Sequence, residues 1–436
     1  MKTQRLKNFI DDDLKLFSNL DNVRSIPSLV DGFKDAHRKC FFGLLTHGKE
    51  KIKVAQLASA ASLVTHYNHG EGALASTIIG MAQNYAGSNN ANLFEPIGQF
   101  GSILTDESAS PRYIYTTQSK HLRKLFRVED DAILKHRVEE GLQLEPELYL
   151  PIVPMWVVNG AVGIGTGHST KILSRGLTNV LSVIKDLVTG KKVESTDARL
   201  QPHFNGWTGT VKVGDNPQQW VMVGNIEKVN TTTLKVTELP IQYGVDKYKE
   251  ILIDLMDEGV VKDFDNNSNE QRFEFVISVP REIGRLSVDQ LVTKFKLSAK
   301  FGENITLWDA NGKLKRYNNV LEALTEFVAY RLPLYQVRKD HQIKTLSDSL
   351  SWVNDKLAFI NWWNKVDEPH KVDRDVIQQS LCLSDENLDR LLALPIKSLR
   401  KEGVTALENE AHTLRKAIDS ISAKTLTDMY LADIKD

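Results

Sequence analysis

The sequence predicts a multi-domain α/β (α+β) protein that ends in a long antiparallel coiled coil. Three observations carry this. The chain has 436 residues, more than one compact core usually organises. Its hydrophobic period changes from helical to alternating and back along the chain. Two heptad seams of equal length lie near its end, and bundle packing accounts for one seam more readily than for a matched pair.

Residues 1 to about 155 read as helices and polar loops. Apolar periodicity predicts short helices over Phe33–Leu45, Val54–His66 and Gly72–Gln83, a run compatible with a helix-turn-helix unit. From 156 to 318 the composition turns β-like, in Trp207–Val213, Trp220–Val223, Thr233–Leu239 and Phe273–Val279. Phe273, Phe275, Ile277 and Val279 alternate as a one-sided strand should. Asp309-Ala310-Asn311-Gly312 carries the Asn-Gly hairpin signal between Ile305–Trp308 and Leu314–Tyr317. This zone has no obvious catalytic cluster.

The third zone, 319–436, is helical. Ile343, Leu346, Leu350, Val353, Leu357 and Ile360 follow 3-4-3-4-3 spacing, and Val404, Leu407, Ala411, Leu414, Ile418 and Ile421 repeat it. The insert between them contains Pro369 and Pro395. The simplest construction is an antiparallel arm with a small globular tip at about 366–403.

Composition narrows the class. Lys and Arg total 55 against 56 acids, a net charge of −1 that excludes a uniformly basic DNA-coating protein. It leaves open nucleic-acid binding through local patches. Residues 34–53 hold Lys34, Arg38, Lys39, Lys49, Lys51 and Lys53. Residues 112–137 hold Arg112, Lys120, Arg123, Lys124, Arg127, Lys135 and Arg137. The apolar stretch Leu148–Gly167 is broken by prolines and glycines and is no membrane span. The N-terminus lacks a signal-peptide core. Cys40 and Cys382 are too few for a disulfide framework or a cysteine zinc site, so a reduced, cytoplasmic setting is expected. His66, His69 and Glu71 have no third cluster to complete a metal site, and none is assigned.

Ser108-Ala109-Ser110-Pro111-Arg112-Tyr113-Ile114-Tyr115 is the most informative segment. Pro111 blocks helix continuation, which puts Arg112 and Tyr113 on a loop. Such a tyrosine is ordinarily packing. A phenol beside a guanidinium is also what phosphodiester transesterification requires. The phenol, pKa about 10, must lose its proton to attack phosphorus. The cation offsets charge on the non-bridging oxygens.

This segment resembles the active-site segment of type IIA DNA topoisomerases, in the form found in eukaryotic and T-even-phage enzymes. Collinear motifs extend the resemblance. They are Ser25-Ile26-Pro27-Ser28-Leu29-Val30-Asp31-Gly32-Phe33-Lys34 with Arg38-Lys39, then Asn68-His69-Gly70-Glu71, Ala82–Asn90 and Pro96–Gly101. Glu145-Pro146-Glu147 through Gly163-Ile164-Gly165-Thr166-Gly167 continues it, and Phe327, Arg331, Leu332 and Tyr335 are similar to the start of the family's coiled coil. Asp35-Ala36 and Asn68 depart from the family pattern.

The resemblance implies a winged-helix DNA-gate domain (1–155), a β-rich tower or shoulder (156–318) and a coiled-coil arm with a C-gate tip (319–436). It implies that Tyr113 forms a 5′-phosphotyrosyl link with cut DNA. Arg112 and Arg38 would steady the scissile phosphate, and His69 would assist the tyrosine. It makes Ile164 a wedge between base pairs, with flanking glycines that let the backbone approach DNA. Lys34, Lys39, Lys120 and Arg123 are further expected DNA contacts. The family also needs Mg²⁺ on a TOPRIM domain and ATP on an ATPase domain, and neither motif is found in this sequence. Both cofactors are therefore expected on a partner large subunit, with this chain a homodimer similar to the medium subunit of a T-even-type phage enzyme. The start at Met1 and the end soon after the second seam fit that expectation, and relaxation or decatenation is then expected over supercoiling. If the gene is a phage's, the setting is the host cytoplasm. Two other readings stay open: a non-catalytic dimeric coiled-coil DNA-binding or chromosome-organising protein, and a tyrosine recombinase, which makes the opposite 3′ linkage.

Overall fold

A computed structural model describes residues 6–381, 385–395 and 399–435; Cys382 lies outside them. The chain forms two compact units. One comprises the described residues up to Asp130, Leu134–Arg331 and those from Leu431, and the other comprises Asp131–Ile133 and Leu332–Tyr430. Helix and strand are mixed in the first unit, while the described elements of the second are helical, as the sequence predicts. Among the described residues no helix is long and apolar enough to cross a membrane.

Helical turns over Leu6–Asn8 and Phe9–Leu14 lead into helix α1 (Lys15–Ser25) of the first unit. Next come α2 (Asp35–His47), β1 (Ile52–Lys53), α3 (Val54–Val64) and α4 (Glu71–Ala82). Strands β2 (Phe94–Ile97) and β3 (Tyr115–Gln118) complete an antiparallel sheet of order β1-β3-β2. Three helices beside a small three-stranded sheet make a winged helix, and the three helices lie where the periodicity predicts them. The strands were not legible, because each is only two to four residues long and lacks a readable alternation. Cys40, Phe41, Leu44, Leu57, Ala61, Leu74 and Ile78 form the buried interior of the helices.

Two hairpins follow, β4 (His136–Glu139) with β5 (Leu142–Pro146) and β6 (Ala161–Ile164) with β7 (Ser169–Ile172). A three-stranded sheet joins β8 (Thr210–Val213), β9 (Gln219–Val223) and a strand from later in the chain, Ser298–Gly302. A four-stranded sheet contains β10 (Asn225–Lys228), β11 (Thr233–Glu238), β12 (Asp263–Asn266) and β13 (Phe275–Ser278), in the order β10-β11-β13-β12. Helix α5 (Val245–Asp257) packs Tyr248, Leu252 and Leu255 with Phe273, Phe275, Ile277 and Val279, the alternating set read from the sequence. Ser298–Gly302 is strand β14, and β15 (Ile305–Trp308) pairs with β16 (Leu314–Tyr317). The connection is a longer loop than a two-residue turn. Asp309 Oδ1 organises it by accepting from the backbone N–H groups of Asn311 and Lys313 at 2.9 and 2.8 Å.

Arg175 and Glu303 form a buried ion pair in this unit, Nη1 to Oε1 and Nη2 to Oε2 both at 2.6 Å. The pair is completed by Trp220 Nε1 donating to Glu303 at 2.8 Å and Arg175 donating to Leu200 O at 3.0 Å. Satisfied hydrogen bonds are what make a buried charge tolerable.

Helix α6 (Val320–Trp363) runs into the second unit, which continues with α7 (Arg374–Leu381), α8 (Asp385–Leu392) and α9 (Lys401–Ser422). Every position of both predicted seams is buried or half-buried, while most residues between them are exposed. Lys339 Nζ donates to the carbonyls of Ser422 and Lys424 at 2.8 and 2.7 Å, so the two long helices run antiparallel. At the far end Phe359, Ile377, Leu388 and Leu391 form a small core with Trp352, Trp362 and Trp363 packed against it. Arg390 covers the Trp352 ring at 4.0 Å.

Candidate active site

Tyr113 ends a turn that leads directly into β3, and its side chain is 69% exposed. Three backbone hydrogen bonds fix the turn. Tyr113 N donates to Ser110 O (2.9 Å), Ala55 N to Pro111 O (3.1 Å) and Val54 N to Ile114 O (3.0 Å). The last two use N–H groups that the first turn of α3 leaves unpaired, so the helix start holds the loop. Ile114 is buried beneath. The result is a rigid backbone with a projecting phenol. The Arg112 guanidinium lies 5.2 Å from the Tyr113 ring centroid.

Arg38 sits on α2, with its guanidinium held by Asp31. Nε donates to Oδ2 at 2.7 Å, Nη2 to Oδ1 at 3.0 Å, and Nη2 also to Phe33 O at 3.0 Å. Asp31 in turn accepts from the backbone of Phe33 and Tyr149 at 2.9 and 3.1 Å. Asp31 precedes Arg38 by seven residues in a shared motif, and only the fold makes it the anchor of that guanidinium. His69 is exposed just ahead of α4, edge-on to Tyr67 with ring centroids 5.3 Å apart.

Lys39 requires a correction. It was expected at a DNA surface, yet it is 7% exposed, and its ammonium is bound to Glu145 at 2.7 Å and Thr65 O at 3.0 Å. The helical period turns it inward from its neighbour Arg38, and Glu145 meets it. Lys34 is half-buried and donates to Val162 O at 2.8 Å. Burial lowers its pKa below the ordinary lysine value. Lys120 is exposed, and Arg123 is half-buried on the short helix Leu122–Leu125.

Lys51 and Lys53 stand in the sequence as part of a basic run, and the fold gathers them on Tyr115, which the sequence did not show. Lys51 and Lys53 place their ammonium groups 4.6 and 5.9 Å from the Tyr115 ring centroid. Tyr115 pairs with Lys53 across β3 and β1 and lies two residues beyond Tyr113. The Lys-x-Lys alternation on a short strand was the available signal. Neither lysine makes an ion pair among the described residues.

Ile164, at the end of β6, is 82% exposed, with Val162 exposed two residues earlier on the same face. The glycines around it serve this chain's own packing. A Cβ on Gly163 would meet Ser25 O at 2.0 Å, and one on Gly165 would meet Asn22 Oδ1 at 2.2 Å.

A family model for the A-type subunit of DNA gyrase/topoisomerase IV matches residues 24–435. The chain belongs to this family. Among curated type II topoisomerases, DNA topoisomerase 2 of Saccharomyces cerevisiae is 40% identical over 368 residues, 82% of this chain and 25% of that protein. DNA topoisomerase 2-alpha of Homo sapiens is 38% identical over 364 residues, 81% of this chain and 23% of that protein. The chain thus spans about a quarter of the length of these relatives. The solved DNA-binding, cleavage and re-ligation domain of Plasmodium falciparum topoisomerase II matches with a TM-score of 0.88 at 31% identity. That match covers 98% of this chain and 63% of that one.

Within this type II topoisomerase family, the gathered site is a projecting phenol, an adjacent guanidinium and a cationic strand. Among the described residues no group of three or more His, Cys, Asp and Glu is close enough to hold a metal ion.

Proposed function

We propose that this chain is the DNA-cleaving and rejoining part of an ATP-dependent type IIA DNA topoisomerase, with Tyr113 as its nucleophile. The observation that carries the reading is the exposed Tyr113 on a backbone pinned by the start of α3, with Arg112 over its ring. The Tyr113 oxygen attacks a phosphodiester phosphorus, the bond to the 3′ oxygen breaks, and the proton passes to that oxygen. One phosphodiester replaces another, so the step is nearly balanced in energy and reverses to reseal the strand. Arg112 offsets charge on the non-bridging oxygens, and His69 assists proton transfer. Arg38, held by Asp31, offers its remaining N–H groups to the same phosphate. Lys34, Lys120 and Arg123 hold the flanking duplex, and Ile164 wedges into it.

In this reading 1–155 is the DNA gate, 156–318 the tower and 319–436 the arm with its dimerisation tip. Two copies cut the two strands, and a second duplex passes through. Mg²⁺ and ATP belong to a large partner subunit, as in a T-even-type phage enzyme in a host cytoplasm.

The test is adduct trapping with denaturant on end-labelled duplex, using the chain with a TOPRIM-bearing partner and Mg²⁺. Wild type is expected to give a 5′-linked protein–DNA adduct, and Tyr113→Phe none while still binding duplex. An adduct that persists in Tyr113→Phe, or a 3′ linkage, refutes the assignment. Salt-sensitive binding with no adduct from wild type would favour the non-catalytic DNA-binding reading.

A further inference from the structure

We infer that Asp21 and Asn22, on helix α1, are positioning residues for the Ile164 wedge. This rests on the proposed role of Ile164 in bending DNA. The family model begins at residue 24, so both side chains lie outside the matched domain.

A two-stranded hairpin is marginally stable alone, and β6–β7 is only four residues per strand. Pushing an aliphatic side chain between base pairs costs a few kcal/mol of unstacking, and the duplex pushes back on whatever carries the wedge. The hairpin must therefore be braced. Its strands are held from two sides. Lys34 Nζ donates to Val162 O at 2.8 Å, and Asn304 and Lys171 exchange backbone hydrogen bonds at 2.8 and 2.9 Å.

The turn after Ile164 is held by α1. Asn22 Nδ2 donates to Thr166 O at 3.1 Å, and Thr166 Oγ1 donates to Asp21 Oδ2 at 2.7 Å. Asn22 is buried, and its backbone carbonyl accepts from Trp308 Nε1 at 3.2 Å, which ties the end of α1 to β15. Force on Ile164 passes from the turn to α1 and on to the sheet hairpin β15–β16. The contact is close: a Cβ at 163 would collide with the Ser25 backbone carbonyl, and one at 165 would force Asn22 Oδ1 to shift. Ile164 itself stays in solvent while both ends of its turn are fixed, as a preorganised wedge requires.

The experiment measures bending by energy transfer between dyes at the two ends of a short duplex. Binding is read in parallel by anisotropy, with the full chain, its partner and Mg²⁺. Ile164→Ala is expected to lower the bent population, which establishes the wedge. Asn22→Ala and Thr166→Val are expected to lower it to the Ile164→Ala level with less than a threefold change in duplex affinity. Thr166→Ser keeps the hydroxyl to Asp21 and should restore bending. Asn22→Ala combined with Ile164→Ala should bend DNA no less than Ile164→Ala alone, because both act through one wedge. Unchanged bending in Asn22→Ala and Thr166→Val, or losses that simply add to that of Ile164→Ala, overturns the inference and leaves the wedge standing. Unchanged bending in Ile164→Ala removes the wedge itself, and with it this role for α1. The Thr166 pair keeps the outcome readable if Asn22→Ala unfolds.

Discussion

Arg38 grips Asp31 with two parallel hydrogen bonds of 2.7 and 3.0 Å, and Asp31 is wholly buried. A planar guanidinium held this way has a fixed orientation, which a lysine cannot copy. Removing one partner of a buried pair leaves the other uncompensated. Asp31→Ala is therefore expected to cost about 3 to 5 kcal/mol in urea unfolding. Arg38→Lys should be milder in stability but should lose most adduct formation. Equal stability for Asp31→Ala and wild type contradicts the anchoring role.

His37 faces the opposite electrostatic situation. Burial, with Lys34 and Arg38 adding like charge, lowers it to about 3. Its Nδ1 accepts from Lys34 N at 3.3 Å, as a neutral ring must. The unfolded chain takes up a proton at the ordinary 6.5 and the folded chain does not. Stability therefore falls as pH drops from 6.5 toward 3. His37→Gln keeps an acceptor for the same N–H, and should flatten that slope in denaturant titrations across the window.

Glu303 is lowered as well, but by a partner charge and against its burial. Burial raises its pKa, but Arg175 outweighs that and holds it below the ordinary 4.5. A depressed carboxylate stabilises the fold above its unfolded value and loses that contribution as pH falls through the folded one. Glu303→Gln is expected to lose about 3 to 5 kcal/mol at neutral pH. The gap to wild type should narrow as pH falls below 4.5. A gap that stays constant with pH argues against the ion pair as the cause.

Gly163 and Gly165 meet α1 through different atoms, which predicts different rescues. Gly163→Ala collides with the Ser25 backbone carbonyl, and Gly165→Ala with the Asn22 side chain. Both should lower the melting temperature. Adding Asn22→Ala should recover much of the loss for Gly165→Ala and none for Gly163→Ala. Thermal scans of the two double variants decide this.

The helical arm offers a simple packing test. Ile360 is fully buried at the last position of the first seam. Ile360→Ala is expected to cost about 2 to 5 kcal/mol by chemical unfolding. Truncating the exposed Val337 on the same helix should cost little.

The heptads at Ile343–Ile360 and Val404–Ile421 were legible because a coiled-coil seam is a local repeat, and each position states its own burial. The same holds for the one-sided strand through Phe275 and for the turn at Pro111 that exposes Tyr113. The family motifs around Tyr113 were readable for a related reason, since chemistry concentrates particular residue types in short segments.

Tertiary structure alone decided which charges are spent inside the protein. Lys39 and Arg38 are adjacent in sequence and identical in sign. Glu145 buries one, and Asp31 aims the other. Those carboxylates lie 106 and seven residues away from their partners, and pairing energy depends on distance in space rather than along the chain. The brace from Asn22 to Thr166 spans 144 residues, and it too was set by packing. Local periodicity named the parts, and long-range contact assigned their work.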